Sequence, residues 1–285
     1  MNSAGGSVSS DSQSADASGQ IDGVSVRNSV NDYSWDELKQ ISDKIASAAS
    51  DDEGLQIAEQ YHLCSSDGKL DGTQAKDVTL TNGTKTSVQI VGFRHDDKSD
   101  GSGKAGITFM FYDAIACRQI NPTSSSAGGW QSCQMRSWLA SSGMELMPSD
   151  LQSEIVSVRK MTNNTGKTED ASSVTATNDS LWLFSLIELG DEESLREWTL
   201  EKECNQVLKA EGSKYQLFSD VPESEAEEIL HKTYQGSRPL IWLRTPDPVG
   251  ENGDPIDFAV IYKGIPEMVG SSTKDEEGVV PGFCI

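Results

Sequence analysis

The sequence predicts an α+β fold, and three observations carry that expectation. Tyr33-Ser34-Trp35-Asp36-Glu37-Leu38 joins a capping box, Ser34 with Glu37, to a hydrophobic staple, Tyr33 with Leu38, so a helix starts here. From Val78 the apolar period drops to two around Asn82-Gly83, the residue pair of a tight hairpin. Later strands come unevenly among helical and polar stretches, which suits a mixed or antiparallel sheet better than a doubly wound parallel one.

Taken in order, Leu38, Ile41, Ile45 and Ala48 extend the first helix over 35–48. Ser50 and Glu53 repeat the capping pattern, and a second helix runs to about Tyr61 with Leu55, Ala58 and His62 on one face. Val78 to Thr81 and Thr84 to Phe93 pair across a type I′ turn at Asn82-Gly83. Ile107 to Tyr112 is a third strand with Ile107, Phe109 and Phe111 on one face. Gln131 to Ala140 is a short helix with Met135, Trp138 and Leu139 inward, and Pro148 opens another that carries Leu151, Ile155 and Val158. Leu181 to Phe184 is a brief strand, and Ser185 with Glu188 forms a further capping box. Strands return at Ile241 to Arg244, Phe258 to Tyr262 and Val279 to Ile285.

The organisation predicted is a disordered Ser/Gly/Asp-rich tether over 1–30, a helical pair over 31–62, and an α+β domain over 63–285 with a charged helical excursion at 190–237. With 45 acidic against 23 basic residues the net charge is −22, a field that repels nucleic-acid backbones and anionic headgroups. No run of about 18 apolar residues exists, so no direct membrane insertion of this chain is expected. Five cysteines are widely spaced without a C-x-x-C pair, which argues against a zinc ribbon and a dense disulfide framework. Most read as buried small hydrophobes, with one or two disulfides open.

Few residues carry reactive chemistry. His95-Asp96-Asp97 places an imidazole beside carboxylates, but no second histidine is near it in sequence. Asp96, Asp100 and Gly101 stand at positions one, five and six of a calcium loop, whereas Lys98 and Ile107 occupy positions that require carboxylates. The acidic stretch Asp247, Glu251, Asp254 and Asp257 is broken by prolines and glycines and reads as a solvated turn. Gly101-x-Gly103 lacks the third glycine of a dinucleotide loop, and Cys117 and Cys133 have no base beside them. Arg244 follows Trp242-Leu243 in a strand, where a buried guanidinium paired with a carboxylate is structural; Arg136 gets the same reading. No catalytic set, metal site or cofactor is expected.

The ordered signatures Gly128-Gly129-Trp130, Met135-Arg136-Ser137-Trp138-Leu139, Leu181-Trp182-Leu183-Phe184-Ser185, Trp242-Leu243-Arg244-Thr245-Pro246 and Gly278-Val279-Val280-Pro281-Gly282-Phe283 resemble an uncharacterised bacterial surface or lipoprotein domain family of unknown function, from about Trp35 to the C-terminus. Val88 to Asp97 and Asp100 to Phe109 belong to the same resemblance. It implies an exported or lipid-anchored protein whose domain follows a low-complexity stalk. More loosely, the order is similar to C-type-lectin-like folds, although the Glu-Pro-Asn and Trp-Asn-Asp calcium signatures are missing.

The resulting expectation is a non-enzymatic extracellular recognition domain, cell-surface attached, whose partner is a glycan or protein, with no nucleic-acid partner. Loops over a rigid core carry such specificity, and Trp198, Tyr234 and Arg238 are the candidate contacts. The alternatives are an envelope glycan- or peptide-processing enzyme that uses His95 with Asp96 or Asp97, a structural stalk element, and a cytoplasmic location.

Overall fold

The structure, a computed structural model, describes residue 21 and residues 23–190, 202–248 and 257–285. Most of the expected tether, Trp198 and the turn between Pro246 and Asp257 lie largely or wholly outside the described residues. Within the stretch assigned to the tether, Val24 and Val30 are buried while residues 25–29 are exposed, and the Tyr61 hydroxyl accepts from the Ile21 amide at 2.7 Å.

The first helix, α1 (Trp35–Ala46), begins as expected, with Ser34 accepting from the Glu37 amide and Glu37 accepting from Ser34. Its inward stripe is Leu38, Ile41 and Ile45. Helix α2 (Asp51–Gln60) is capped by Ser50. Strands β1 (Ala75–Thr79) and β2 (Lys85–Phe93) pair antiparallel. Their turn differs from the expected two-residue type. Leu80 donates to Thr84 at 2.8 Å across the three-residue loop Thr81-Asn82-Gly83, and the Gly83 amide turns back to the Leu80 carbonyl. A three-residue loop ending in a left-handed glycine is the other favoured use of Asn-Gly, and the register of the flanking strands selects it.

Strands β3 (Ile107–Phe111) and β4 (Ala116–Arg118) follow. The helix expected over 131–140 is divided into α3 (Gly129–Ser132) and α4 (Gln134–Trp138), because Cys133 is extended and serves as the cap of α4. The helix expected from Pro148 through Val158 stops as α5 (Ser149–Gln152). Val156 instead donates its amide to Cys284, and Val158 opens β5 (Val158–Asn163), which pairs with β6 (Val174–Asp179). The strand pairing satisfies backbone groups that a longer helix would have left against the sheet edge.

Next come β7 (Trp182–Leu183), α6 (Leu186–Leu189), α7 (Lys202–Ala210), α8 (Gln216–Asp220) and α9 (Glu223–Leu230). The chain ends in β8 (Ile241–Pro246), β9 (Asp257–Tyr262), β10 (Ile265–Ser272), β11 (Glu277–Val279) and β12 (Pro281–Cys284).

One five-stranded sheet has the order β1-β2-β3-β12-β7 and a second the order β10-β9-β8-β11-β4. Pairing is antiparallel except for β11 on β8. Strands and helices do not alternate regularly, and the architecture is α+β. Val280 is the residue at which the chain leaves the second sheet for the first, so the terminal signature Gly278 to Phe283 stitches both sheets together. Trp35 of α1 meets Phe109 edge-on at 5.6 Å, and Phe109 stacks on Phe283 at 5.3 Å.

The Gly128-Gly129-Trp130 signature also has a steric cause. Gly129 has φ +52°, and a Cβ there would fall 2.0 Å from the Asn163 carbonyl oxygen. This close approach buries Trp130 beside the β5–β6 hairpin, where its indole N–H reaches Asp179 at 3.2 Å. Arg136 donates to the other oxygen of Asp179 at 2.6 Å, in line with its structural reading.

Candidate functional site

Two groups of polar side chains stand out, one enclosed and one open. The enclosed group begins at Asp96, just beyond β2. Lys160 donates to its Oδ1 at 2.6 Å, and Thr108 and Tyr215 donate to its Oδ2 at 2.8 and 2.9 Å. Lys160 lies inward on β5 because Val158, Lys160 and Thr162 share the buried phase of that strand. Its ammonium also lies 2.7 Å from Glu188 Oε1. Glu188 then forks onto Arg244, at 2.6 Å to Nη1 and 2.8 Å to Nη2, while Arg244 Nε donates to Thr162 at 2.8 Å. Thr245 donates to Glu211, whose other oxygen accepts the Asn163 amide at 2.9 Å.

Burial alone would raise the carboxyls of Asp96 and Glu188. Lys160 beside Asp96 holds it well below the usual range, and Arg244 with Lys160 holds Glu188 at about 2. Two anions and two cations thus balance. Glu211 is the fifth charge, and burial outweighs Arg244 to push it up to about 7. Burial and then Asp96 raise Tyr215 and Cys284, so the phenol and thiol stay protonated. The whole assembly is a satisfied ionic spine joining β2, β3, β5, α6, β8 and β12 to the 211–215 segment.

A pH dependence follows. Asp96 and Glu188 bind protons less readily when folded, so their contribution is present above the ordinary carboxylate range and is lost as the pH falls through it. Glu211 has the opposite sign: its proton is retained to about pH 7 in the folded chain against 4.5 in the unfolded one. Between about pH 5 and 7 the chain therefore loses stability as the pH rises, and Glu211→Gln flattens that limb in urea titrations. A parallel slope in both proteins would refute the assignment.

The structure does not gather His95, Asp96 and Asp97 into an open site. His95 stacks on Tyr215 with ring centroids 3.9 Å apart, and its Nδ1 lies 3.7 Å from Asp96. Asp97 faces away and pairs with Lys104 at 3.1 Å. Cys64, Cys117, Cys133 and Cys284 are free thiols. Among the described residues no group of three or more histidine, cysteine or acidic side chains could hold a metal ion.

The open group surrounds a cleft of about 780 Å³. Leu230 and Lys232 form one wall, Pro239, Leu240 and Ile241 another, and Ile261 with Tyr262 a third. The β9–β10 turn closes against α9 because Gly264, at φ +84°, approaches the Glu227 carbonyl so closely that a Cβ would lie 2.2 Å from it. Arg238, a candidate contact, is exposed on this cleft. Tyr234 is not in its wall but holds the adjoining turn, exchanging backbone hydrogen bonds of 2.9 Å with Ser237 around Gln235-Gly236. Trp198 lies outside the described residues.

Lys232 was not singled out from the sequence. Among the described residues four cations are buried, and three find oxygen acceptors: Lys76 on Tyr33, Lys160 on Asp96, and Arg244 on Glu188. The Lys232 ammonium has no hydrogen-bond partner and lies 5.2 Å over the Tyr112 ring. Burial, opposed by Asp113, brings it down to about 7. The neighbouring His231 Nδ1 is likewise buried without a hydrogen bond.

The family model described as Domain of unknown function (DUF6273) matches residues 105–285, well over half of the chain. The chain belongs to this family. The matched DUF6273 segment starts between β2 and β3 and contains the spine residues Lys160, Glu188, Glu211, Tyr215 and Arg244, as well as the whole cleft. Asp96 is contributed from outside it. No curated protein and no solved structure matches the chain. No helix among the described residues is long and apolar enough to cross a membrane.

Proposed function

We propose that the chain is a non-enzymatic recognition domain of a bacterial surface protein, binding a glycan or protein ligand at the cleft between α9 and the β8–β9 edge. One contrast carries this reading. The charged groups of the spine around Asp96 are enclosed and paired with one another, whereas the exposed Arg238 and Tyr262 line an open concavity of ligand size. The Ser/Gly/Asp-rich composition of residues 1–20 supports display of the domain at a distance from an attachment point. A broad C-type-lectin-like relation is part of the proposal, supported by one antiparallel and one mixed sheet with helical segments between their strands. The family signature Gly-Gly-Trp, Met-Arg-Ser-Trp-Leu and Trp-Leu-Arg-Thr-Pro is proposed to mark the spine and its supports.

The test is binding of the full chain to glycan and peptide arrays beside an Arg238→Ala/Tyr262→Ala chain. Deleting the excursion is unsuitable, because it would remove Glu211 and Tyr215 from the buried spine. A ligand on either array is expected, weakened about tenfold or more by the paired substitution. Binding indifferent to both substitutions would move the site elsewhere; silence on both arrays would end the recognition reading.

A further inference from the structure

We infer that Lys232 makes the segment from His231 to Arg238 a proton-released latch on the β3–β4 loop, closed while the amine is neutral and loosened when it takes up a proton. The latch needs no ligand in the cleft, so it stands apart from the recognition reading. The segment joins α9 to β8 and is fastened through Thr233. Asp113, in the loop between β3 and β4, accepts the Thr233 amide at 2.9 Å and the Thr233 hydroxyl at 2.8 Å through one oxygen, and the Ala114 amide donates back to the Thr233 carbonyl at 2.9 Å. Lys232 is the preceding residue, and its amine is buried over the Tyr112 ring, 5.2 Å from the centroid.

Lys76, Lys160 and Arg244, the other buried cations among the described residues, each donate to an oxygen, whereas the Lys232 amine has no hydrogen-bond acceptor there. A ring face attracts an ammonium but is a weaker partner than a charged oxygen acceptor, and Oδ1 of Asp113 is already committed to Thr233. A neutral amine tolerates this enclosure and a charged one does not. Protonation therefore favours either of two moves: the side chain leaves for water, or it takes Asp113 from Thr233. Both undo the clasp. The same segment continues into Arg238, Pro239 and Leu240 of the cleft wall, so the state of the latch sets how firmly that wall is held.

Burial, opposed by Asp113, lowers the amine from 10.5 to about 7 in the closed chain. Opening restores the higher value. Between about pH 7 and 10.5 opening therefore takes up a proton, and the open population falls about tenfold for each unit that the pH rises. Below about pH 7 the amine is charged in both forms and this dependence ends. The other charged or titratable groups around it are Tyr112 and Asp113 from the β3–β4 loop, Glu227, Glu228 and His231 from α9 and its end, Tyr234 and Arg238 from the segment itself, and Tyr262 and Lys263 from the β9–β10 turn. Of these side-chain types only an imidazole ordinarily titrates near neutrality, so measurements above about pH 7.5 stand clear of it.

Amide hydrogen exchange of the full chain, followed by NMR between about pH 7.5 and 9, tests the latch. Exchange chemistry accelerates with hydroxide, so an amide whose opening does not involve Lys232, such as Gly83 in the β1–β2 turn, speeds up as the pH rises. The Thr233 and Ala114 amides are expected to keep nearly constant rates over the same range, because their open population falls as the chemistry accelerates. In Lys232→Met they should regain the rise shown by Gly83, and the unfolding midpoint near neutral pH should increase, since an enclosed amine without an acceptor has been removed. Thr233 and Ala114 rates that climb in step with Gly83 in the unaltered chain would overturn the latch, as would flat rates that persist in Lys232→Met. The first comparison is made within one unaltered sample and needs no variant to fold.

Discussion

Glu188→Ala is expected to lower the unfolding free energy by about 3–5 kcal/mol, the range for breaking a buried ion pair by removing one partner. Glu188 is fully enclosed and receives two hydrogen bonds from Arg244 while lying 2.7 Å from Lys160. It also accepts the Ser185 amide as the acidic member of the α6 capping box. Removing it orphans a guanidinium that cannot shed its proton, at the junction of β5, α6 and β8. Lys160 retains Asp96, so the penalty falls chiefly on Arg244. Asp97→Ala is the matched control: its pair with Lys104 is solvent-exposed and should change stability by no more than about 0.5 kcal/mol. Equilibrium urea unfolding of both variants measures the contrast. A Glu188→Ala loss under about 1 kcal/mol would mean that water or rearrangement compensates the charge and that the spine is not what holds the sheets.

Phe283→Ala is expected to cost about 3–5 kcal/mol, the range for emptying a large aromatic site in a closed core. Phe283 lies on β12 of the first sheet, which Val280 links directly to β11 of the second. Its ring contacts Phe109 at 5.3 Å, Phe111 at 5.9 Å and Trp35 at 6.1 Å. Trp35 belongs to α1, ahead of the segment matched by the family model, so the loss should be felt by α1 as well as by the sheet. Hydrogen exchange should therefore speed up together in α1, β3 and β12. Exchange that accelerates in β3 and β12 while α1 keeps its protection would show that the N-terminal helices form a separate cooperative unit.

The legibility of these features varied for physical reasons. Helix α1 was readable to its first residue because its cap, staple and apolar stripe are local, and the same holds for the Ser185/Glu188 box. The β5–β6 hairpin was hidden. Its inward phase includes Lys160, and a lysine in an alternating run reads as a solvent-facing residue unless its anionic partners are known to be near. Strand β10 was hidden by Pro266 and Gly270, which interrupt the pattern of a strand that, among the described residues, pairs only with β9. At the candidate sites, Arg244 was legible as a buried cation needing a carboxylate, but not Glu188 as that carboxylate, which lies 56 residues away. Asp96 drew notice for its histidine neighbour, whereas its partners Lys160, Tyr215 and Thr108 come from three other parts of the chain. Lys232 gave no signal, because it sits in the polar run His231-Lys232-Thr233 and its burial comes from elsewhere.

The amino-acid sequence by itself determined the α+β character, the first helices, the apolar phase of β2 and β3, and the need for a partner to Arg244. Each rests on interactions within a few residues, or on the rule that a buried charge must be met. Only the tertiary structure decided that Glu188 meets it, that Asp96 is sealed within a spine, and that Lys232 is left beside an open cleft. Those outcomes depend on which distant segments exclude water from a given side chain, a property of the packed chain that no local pattern contains.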